Sequence, residues 1–188
     1  MNYLKRKTSA GNGLSWLMKL VAVGAIATGT LVTGFASGRP AVLRFMTNFA
    51  YAGPTRTVHP EAEAQDGKPI YADRAYRIAD LPVQLQGADY IQTSNSDKYF
   101  KSTDLFQITV KAGSIVSVAH DARLPRPDWL TNQFKAKDIS VMVEGRPLTV
   151  FQRQAEQEEV VTLGPNVLVP DGRSCYMYLV FVSASTKQ

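Results

Sequence analysis

The chain reads as all-β: an antiparallel β-sandwich of about eight strands, preceded by one N-terminal transmembrane helix. Three observations predict this. From Pro69 onward apolar residues recur with a period of two, and no stretch beyond residue 53 keeps a helical period. Turn residues punctuate that region at short intervals, as a sandwich requires. Upstream, residues 20–36 form a run of 17 residues without a charge.

As a helix that run spans about 26 Å at about 1.5 Å per residue, close to a hydrocarbon core of about 30 Å. Residues 1–13 are a basic tail carrying Lys5-Arg6-Lys7, and 14–36 is read as a signal anchor with Lys19 snorkelling to the cytoplasmic interface. The positive-inside rule keeps the tail in the cytoplasm. The expected location is therefore the inner (cytoplasmic) membrane, single-pass, with the C-terminal domain periplasmic. A cleaved signal peptide is the competing reading, with small residues at 36–38 and 50–52 as candidate processing sites. The apolar run is longer than the usual signal core, which favours retention. Residues 37–52 follow; within them 41–52 (AVLRFMTNFAYA) reads either as a helix whose broad apolar face lies in the membrane interface or docks on another subunit, or as an ordinary linker with hydrophobic residues. Residues 53–68, polar and small with two prolines, read as a linker.

The β-sandwich domain is expected over 69–188. Its strands are read at 70–72 and 76–79 around Asp73-Arg74, and at 83–85 and 89–93 around Gly87. Strands 105–111 and 115–120 alternate clearly, and the turn at Ala112-Gly113 makes them a predicted hairpin. Residues 125–134 break the alternation and hold one helical turn with Pro127 near its start. Strands 139–144 and 147–151 flank Gly145-Arg146 as a second hairpin. A strand at 160–163 precedes Gly164-Pro165, and 175–182 closes the domain as a buried strand.

Charge argues against a nucleic-acid partner. The net charge is +5, yet seven of the 21 basic residues precede the first acidic residue, Glu61, so 14 basic residues face 16 acidic ones beyond it. The basic excess belongs to the N-terminal tail and not to a folded surface. The single cysteine, Cys175, has no CxxC context and sits among apolar residues as a buried strand residue. His59 and His120 are the only histidines. No GxSxG elbow, P-loop or GxGxxG occurs, and Glu156, Glu158 and Glu159 read as a solvated charge run. No catalytic residue, metal ligand or cofactor is expected.

The distinctive local string is His120-Asp121-Ala122-Arg123, then Pro125, Pro127, Trp129 and Leu130. Asp121 and Arg123 can pair at a strand end. Trp129 is either a core residue over that pair or, with Tyr90 or Tyr99, a platform for a sugar ring. Tyr90, Asp121, Arg123 and Trp129 are the candidate ligand or interface residues.

These strings, together with Tyr71-Ala72-Asp73-Arg74-Ala75-Tyr76, Gly87-Ala88-Asp89-Tyr90-Ile91-Gln92-Thr93, Asp97-Lys98, Phe106, Val118-Ala119 and Val161-Thr162-Leu163-Gly164, carry a resemblance. Residues 70–182 look like an accessory β-sandwich module appended to secreted bacterial polysaccharide-acting enzymes, the pectate-lyase-like proteins and glycoside hydrolases. The resemblance implies the fold and export, and brings no catalytic residue with it. Two functions follow as expectations. The first is a non-catalytic, membrane-anchored accessory subunit of a larger membrane complex, such as a photosynthetic or respiratory one, with the bilayer and other subunits as partners. The alternative is a carbohydrate-binding module with a polysaccharide partner.

Overall fold

Alternating apolar and polar residues give the chain nine strands among its described residues, and every strand pairing is antiparallel. The computed structural model describes residues 42–167 and 174–185. The tail and signal-anchor segments, 1–13 and 14–36, lie outside them. No helix among the described residues is long and apolar enough to cross a membrane.

The strands are β1 (Met46–Tyr51), β2 (His59–Glu61), β3 (Asp89–Gln92), β4 (Phe106–Val110), β5 (Ser114–Asp121), β6 (Lys135–Val143), β7 (Arg146–Ala155), β8 (Glu159–Leu163) and β9 (Leu179–Ala184). One short helix, α1 (Asp128–Gln133), precedes β6. A three-stranded sheet, in the order β1-β4-β8, packs on a six-stranded one in the order β2-β3-β9-β5-β7-β6. Phe106 of β4 meets Tyr178, just before β9, edge to face at 5.9 Å, the geometry ring quadrupoles prefer. Asp89 ties the layers by charge. Its buried carboxylate accepts the backbone N–H groups of Arg44, Phe45 and Met46 at 3.0, 2.6 and 2.9 Å, fixing where β1 begins.

Several expectations change. The interfacial helix read within 37–52 is a strand from Met46 onward. Phe49 and Tyr51, two apart and so on one face of a strand, both lie against Phe106, at 6.2 and 5.2 Å. Thr47, Asn48, Phe49 and Tyr51 are poor helix formers, and Asn48–Tyr51 pair with β4 along one edge. The linker read at 53–68 contains β2, an edge strand where Pro60 is tolerated. Residues 83–85 form a 3₁₀ turn, while 70–72 and 76–79 make only isolated bridges.

The hairpin predicted at Ala112-Gly113 is not one. The turn is there, with Gly113 at φ +75°, but β4 and β5 belong to different sheets. Each already has a neighbour on both sides, β1 and β8 for one, β9 and β7 for the other, so the turn carries the chain between layers. The second predicted hairpin does form, as β6 and β7. Its two-residue loop is Glu144-Gly145, one position upstream of the expected turn. Both residues have positive φ, 48° and 73°, as a type I′ turn demands.

Candidate functional site

The end of β5 delivers two neighbours to opposite faces of the sheet. Asp121, nearly fully buried, accepts hydrogen bonds from Arg123 N at 3.1 Å and Arg123 Nε at 2.9 Å, and a further one from Nη2. Burial works to raise this carboxyl. The side-chain and backbone hydrogen bonds of Arg123 and its charge outweigh that, and hold the pKa below the ordinary carboxylate value. The hydrogen bonds to Asp121 raise Arg123 in turn. Arg123 Nη2 and Arg146 Nη1 both donate to the Ser174 carbonyl, at 3.0 and 3.3 Å. Arg146 also lies over the Tyr176 ring, 5.4 Å from its centre.

His120 points into the sandwich, fully buried. Its Nε2 is 3.2 Å from the Asn166 carbonyl, and Nδ1 has no hydrogen-bond partner. Burial pushes its pKa below the ordinary histidine value. The ring is shut off from solvent, and its burial favours the neutral form. His59 is exposed and held locally by the Thr57 carbonyl and Glu61.

Trp129, half-buried on α1, donates from Nε1 to the Pro165 carbonyl at 2.9 Å. Its ring meets Phe134 at 6.1 Å and Tyr178 at 5.4 Å. It also rests on the backbone of Gly164, where a Cβ would come within 2.7 Å of Trp129 Cδ1. Tyr90 is buried and stacks on Phe181 at 6.3 Å, two strands away from β5 in the sheet. The structure therefore joins Asp121 with Arg123. It uses Trp129 to close the sandwich interior and places Tyr90 on the sheet's other face. Tyr99 is partly exposed, with Lys98 over its ring at 5.5 Å.

Tyr71 and Asp73, from the strings that carried the resemblance, are struts, and Asn95 and Asn166, outside those strings, act with them. Tyr71 Oη donates to the Met177 carbonyl at 2.7 Å, and Asn95 Oδ1 accepts Met177 N at 3.0 Å. Asn166 brackets the same segment, donating to the Tyr176 carbonyl and accepting Tyr178 N. Side chains thus replace a strand partner for 176–178, and β9 starts only at Leu179. Asp73 accepts Asn95 N, Ser96 N and Ser96 Oγ. Burial works against its charge, but these bonds and Arg74 prevail and its pKa lies below the ordinary value.

One feature of the surface has no counterpart in the sequence reading. Cross-strand partners share a face, and the register Lys135–Gln152–Ser117–Phe181–Tyr90 runs across β6, β7, β5, β9 and β3 on the outer side of the large sheet. Ile70 and Ile78 meet Tyr90 and Phe181 at one end of this row. At the other end lies an open cavity of about 320 Å³, lined by Gln133, Lys135, Lys137, Gln152, Arg153 and Gln154, with Ile115 as its apolar part. Gln152 Nε2 donates to Ser117 Oγ at 3.1 Å, which fixes the amide. Arg153 is held by Gln133 Oε1 at 3.1 Å and by Glu159 at 2.5 Å. Lys135 and Lys137 are exposed and make no ion pair among the described residues. The spacing of Lys135 and Lys137 is the only signal the sequence held for this cavity, and it gains meaning only from the register with β7. Among the described residues no cluster of three or more His, Cys, Asp or Glu side chains could hold a metal ion.

Antiparallel sheets and buried polar struts thus define a β-sandwich module among the described residues. The chain is 32% identical over 116 residues to a β-glucuronidase of Formosa agariphila, a match covering 62% of this chain and 12% of that protein. Among solved structures it is similar to a β-glucuronidase from glycoside hydrolase family 2, with a TM-score of 0.68 and 29% identity, over 73% of this chain and 14% of that one. The chain thus spans about an eighth of the curated relative it matches. No family model matches it.

Proposed function

We propose that the β-sandwich is a non-catalytic, polysaccharide-binding module. The observation that carries this reading is the similarity, in sequence and in fold, to a minor portion of β-glucuronidases. The chemistry of the described residues supports it. Glycoside hydrolysis generally needs a pair of carboxyl groups facing a cleft. Here the buried carboxylates Asp89, Asp97 and Asp121, and the partly buried Asp73, each accept hydrogen bonds that hold the fold together. Between the two functions expected from sequence, the similarity favours the carbohydrate-binding module over a subunit of a membrane complex. In this reading residues 14–36 hold the module at the inner membrane and display it in the periplasm.

The test is affinity electrophoresis of the full chain, in mild detergent, through gels holding neutral or acidic polysaccharides. Retardation by at least one polysaccharide, with no new reducing ends after prolonged incubation, is the expected result. Migration unaffected by every polysaccharide, or release of reducing ends, would refute it.

A further inference from the structure

We infer that the cavity at the β6–β7 edge of the large sheet binds a polysaccharide bearing carboxylate groups, with Lys135 and Lys137 as the cations that read its charge. This deepens the proposed function and rests on it. A volume of about 320 Å³ falls at the small end of ligand sites, which run about 300–1,000 Å³. That suits one or two sugar rings of a chain that continues past an open groove. The lining offers what an acidic sugar needs. Three side-chain amides, Gln133, Gln152 and Gln154, match hydroxyl groups as donors and acceptors. Gln152 is already oriented by Ser117, so less freedom is lost on binding. Ile115 provides an apolar patch for the C–H face of a ring.

Charge sets the substrate class. Arg153 is already neutralised by Glu159 at 2.5 Å, which leaves the two lysines as the cavity's uncompensated cations. Lys135 pairs across the ladder with Gln152, so its ammonium is on the cavity side. Lys137 sits where the ladder slips, between the Ala136–Phe151 and Ser140–Thr149 pairs. Such a bulge bends an edge strand and re-aims its side chains. Lysines on an edge strand also deter pairing with another chain. That role needs neither the cavity nor the amides, and it predicts no ligand. Both similar proteins are β-glucuronidases, named for a sugar that carries a carboxylate.

The experiment titrates the full chain with polyglucuronate, a neutral glucan and polyacrylate, following affinity electrophoresis and calorimetry. Wild type should bind polyglucuronate in preference to both others, and more weakly as salt rises. Lys135→Gln/Lys137→Gln should lose about tenfold in affinity with an unchanged melting temperature, whereas Lys101→Gln, outside the cavity, should lose nothing. Gln154→Lys, which adds a third cation without removing a packed group, should bind more tightly. Three results would overturn the inference: polyglucuronate binding that the double variant leaves intact, polyacrylate binding as tight as polyglucuronate, or binding of the neutral glucan alone. The last would leave polysaccharide binding standing at another place. Binding of none of the three would also overturn the inference, and the proposed function falls with it once no other polysaccharide retards the chain.

Discussion

Asp89 shows how much of this fold hangs on single carboxylates. It accepts three backbone N–H groups at once, and Asp89→Ala strands them at the start of β1. Buried donors without partners cost about 1–3 kcal/mol each, less when they relax together. A loss of about 3–4 kcal/mol is expected in urea unfolding, and Asp89→Asn should recover only part of it. Trp129 is the second such residue. With its nitrogen bonded to Pro165 and its ring on Gly164, Phe134 and Tyr178, Trp129→Ala should cost about 3–5 kcal/mol. Gly164→Ala, which drives a methyl into the indole, should cost about 1–3 kcal/mol. An unchanged melting temperature for Trp129→Ala would mean the ring is a ligand platform. His120 adds a pH dependence. Its unfolded imidazole titrates near 6.5, and burial puts the folded value lower. Between the two the unfolded chain holds more protons, so stability rises with pH there. The contribution is full above 6.5 and is lost as pH falls through the folded value. Melting temperatures should therefore drop as pH falls below about 6.5, with the drop shallower in His120→Leu. Asp73 and Asp121, both lowered, add a second loss only at more acidic pH.

At the scale of elements, the β6–β7 hairpin gives the sharpest expectation. Glu144 occupies the left-handed region at φ 48°, which costs a non-glycine residue roughly 1 kcal/mol. Asn is better suited ahead of Gly145 in a type I′ turn, so Glu144→Asn should raise the melting temperature by a few degrees, equivalent to about 0.5–1 kcal/mol. A lowered midpoint would contradict the turn type. Alternation made β4, β5, the second hairpin and the helical turn at Pro127 legible in the sequence. It could not tell which strands pair. A glycine turn at 113 looks the same whether it closes a hairpin or crosses between sheets, because the difference lies in distant neighbours such as β1 and β9. Residues 41–52 misled for a related reason: a run with few charges fits a buried strand as well as an amphipathic helix. Segment 176–178 read as strand because its side chains are apolar, but its partners are the side chains of Tyr71, Asn95 and Asn166. The cavity beside Lys135 was illegible for the same reason, since it needs the β6–β7 register and the bulge.

For the molecule as a whole, the residues behind the sequence resemblance prove mostly to be scaffold. Tyr71, Asp73, Asp89, Asp97 and His120 hold strands and turns in place, so a likeness in those positions tracks the architecture. With the basic tail at Lys5-Arg6-Lys7 and the uncharged run at 20–36, an epitope fused after Gln188 should be cleaved by protease added to intact spheroplasts. A protected epitope would place the sandwich in the cytoplasm and remove polysaccharide from its reach. The central claim, that this sandwich binds polysaccharide without cutting it, is met most directly by affinity electrophoresis of the full chain through gels holding neutral and acidic polysaccharides, polyglucuronate among them, paired with a reducing-end assay on the same sample. The account predicts marked retardation and no new reducing ends. Free migration through every gel, or sugar released in step with added protein, would contradict it.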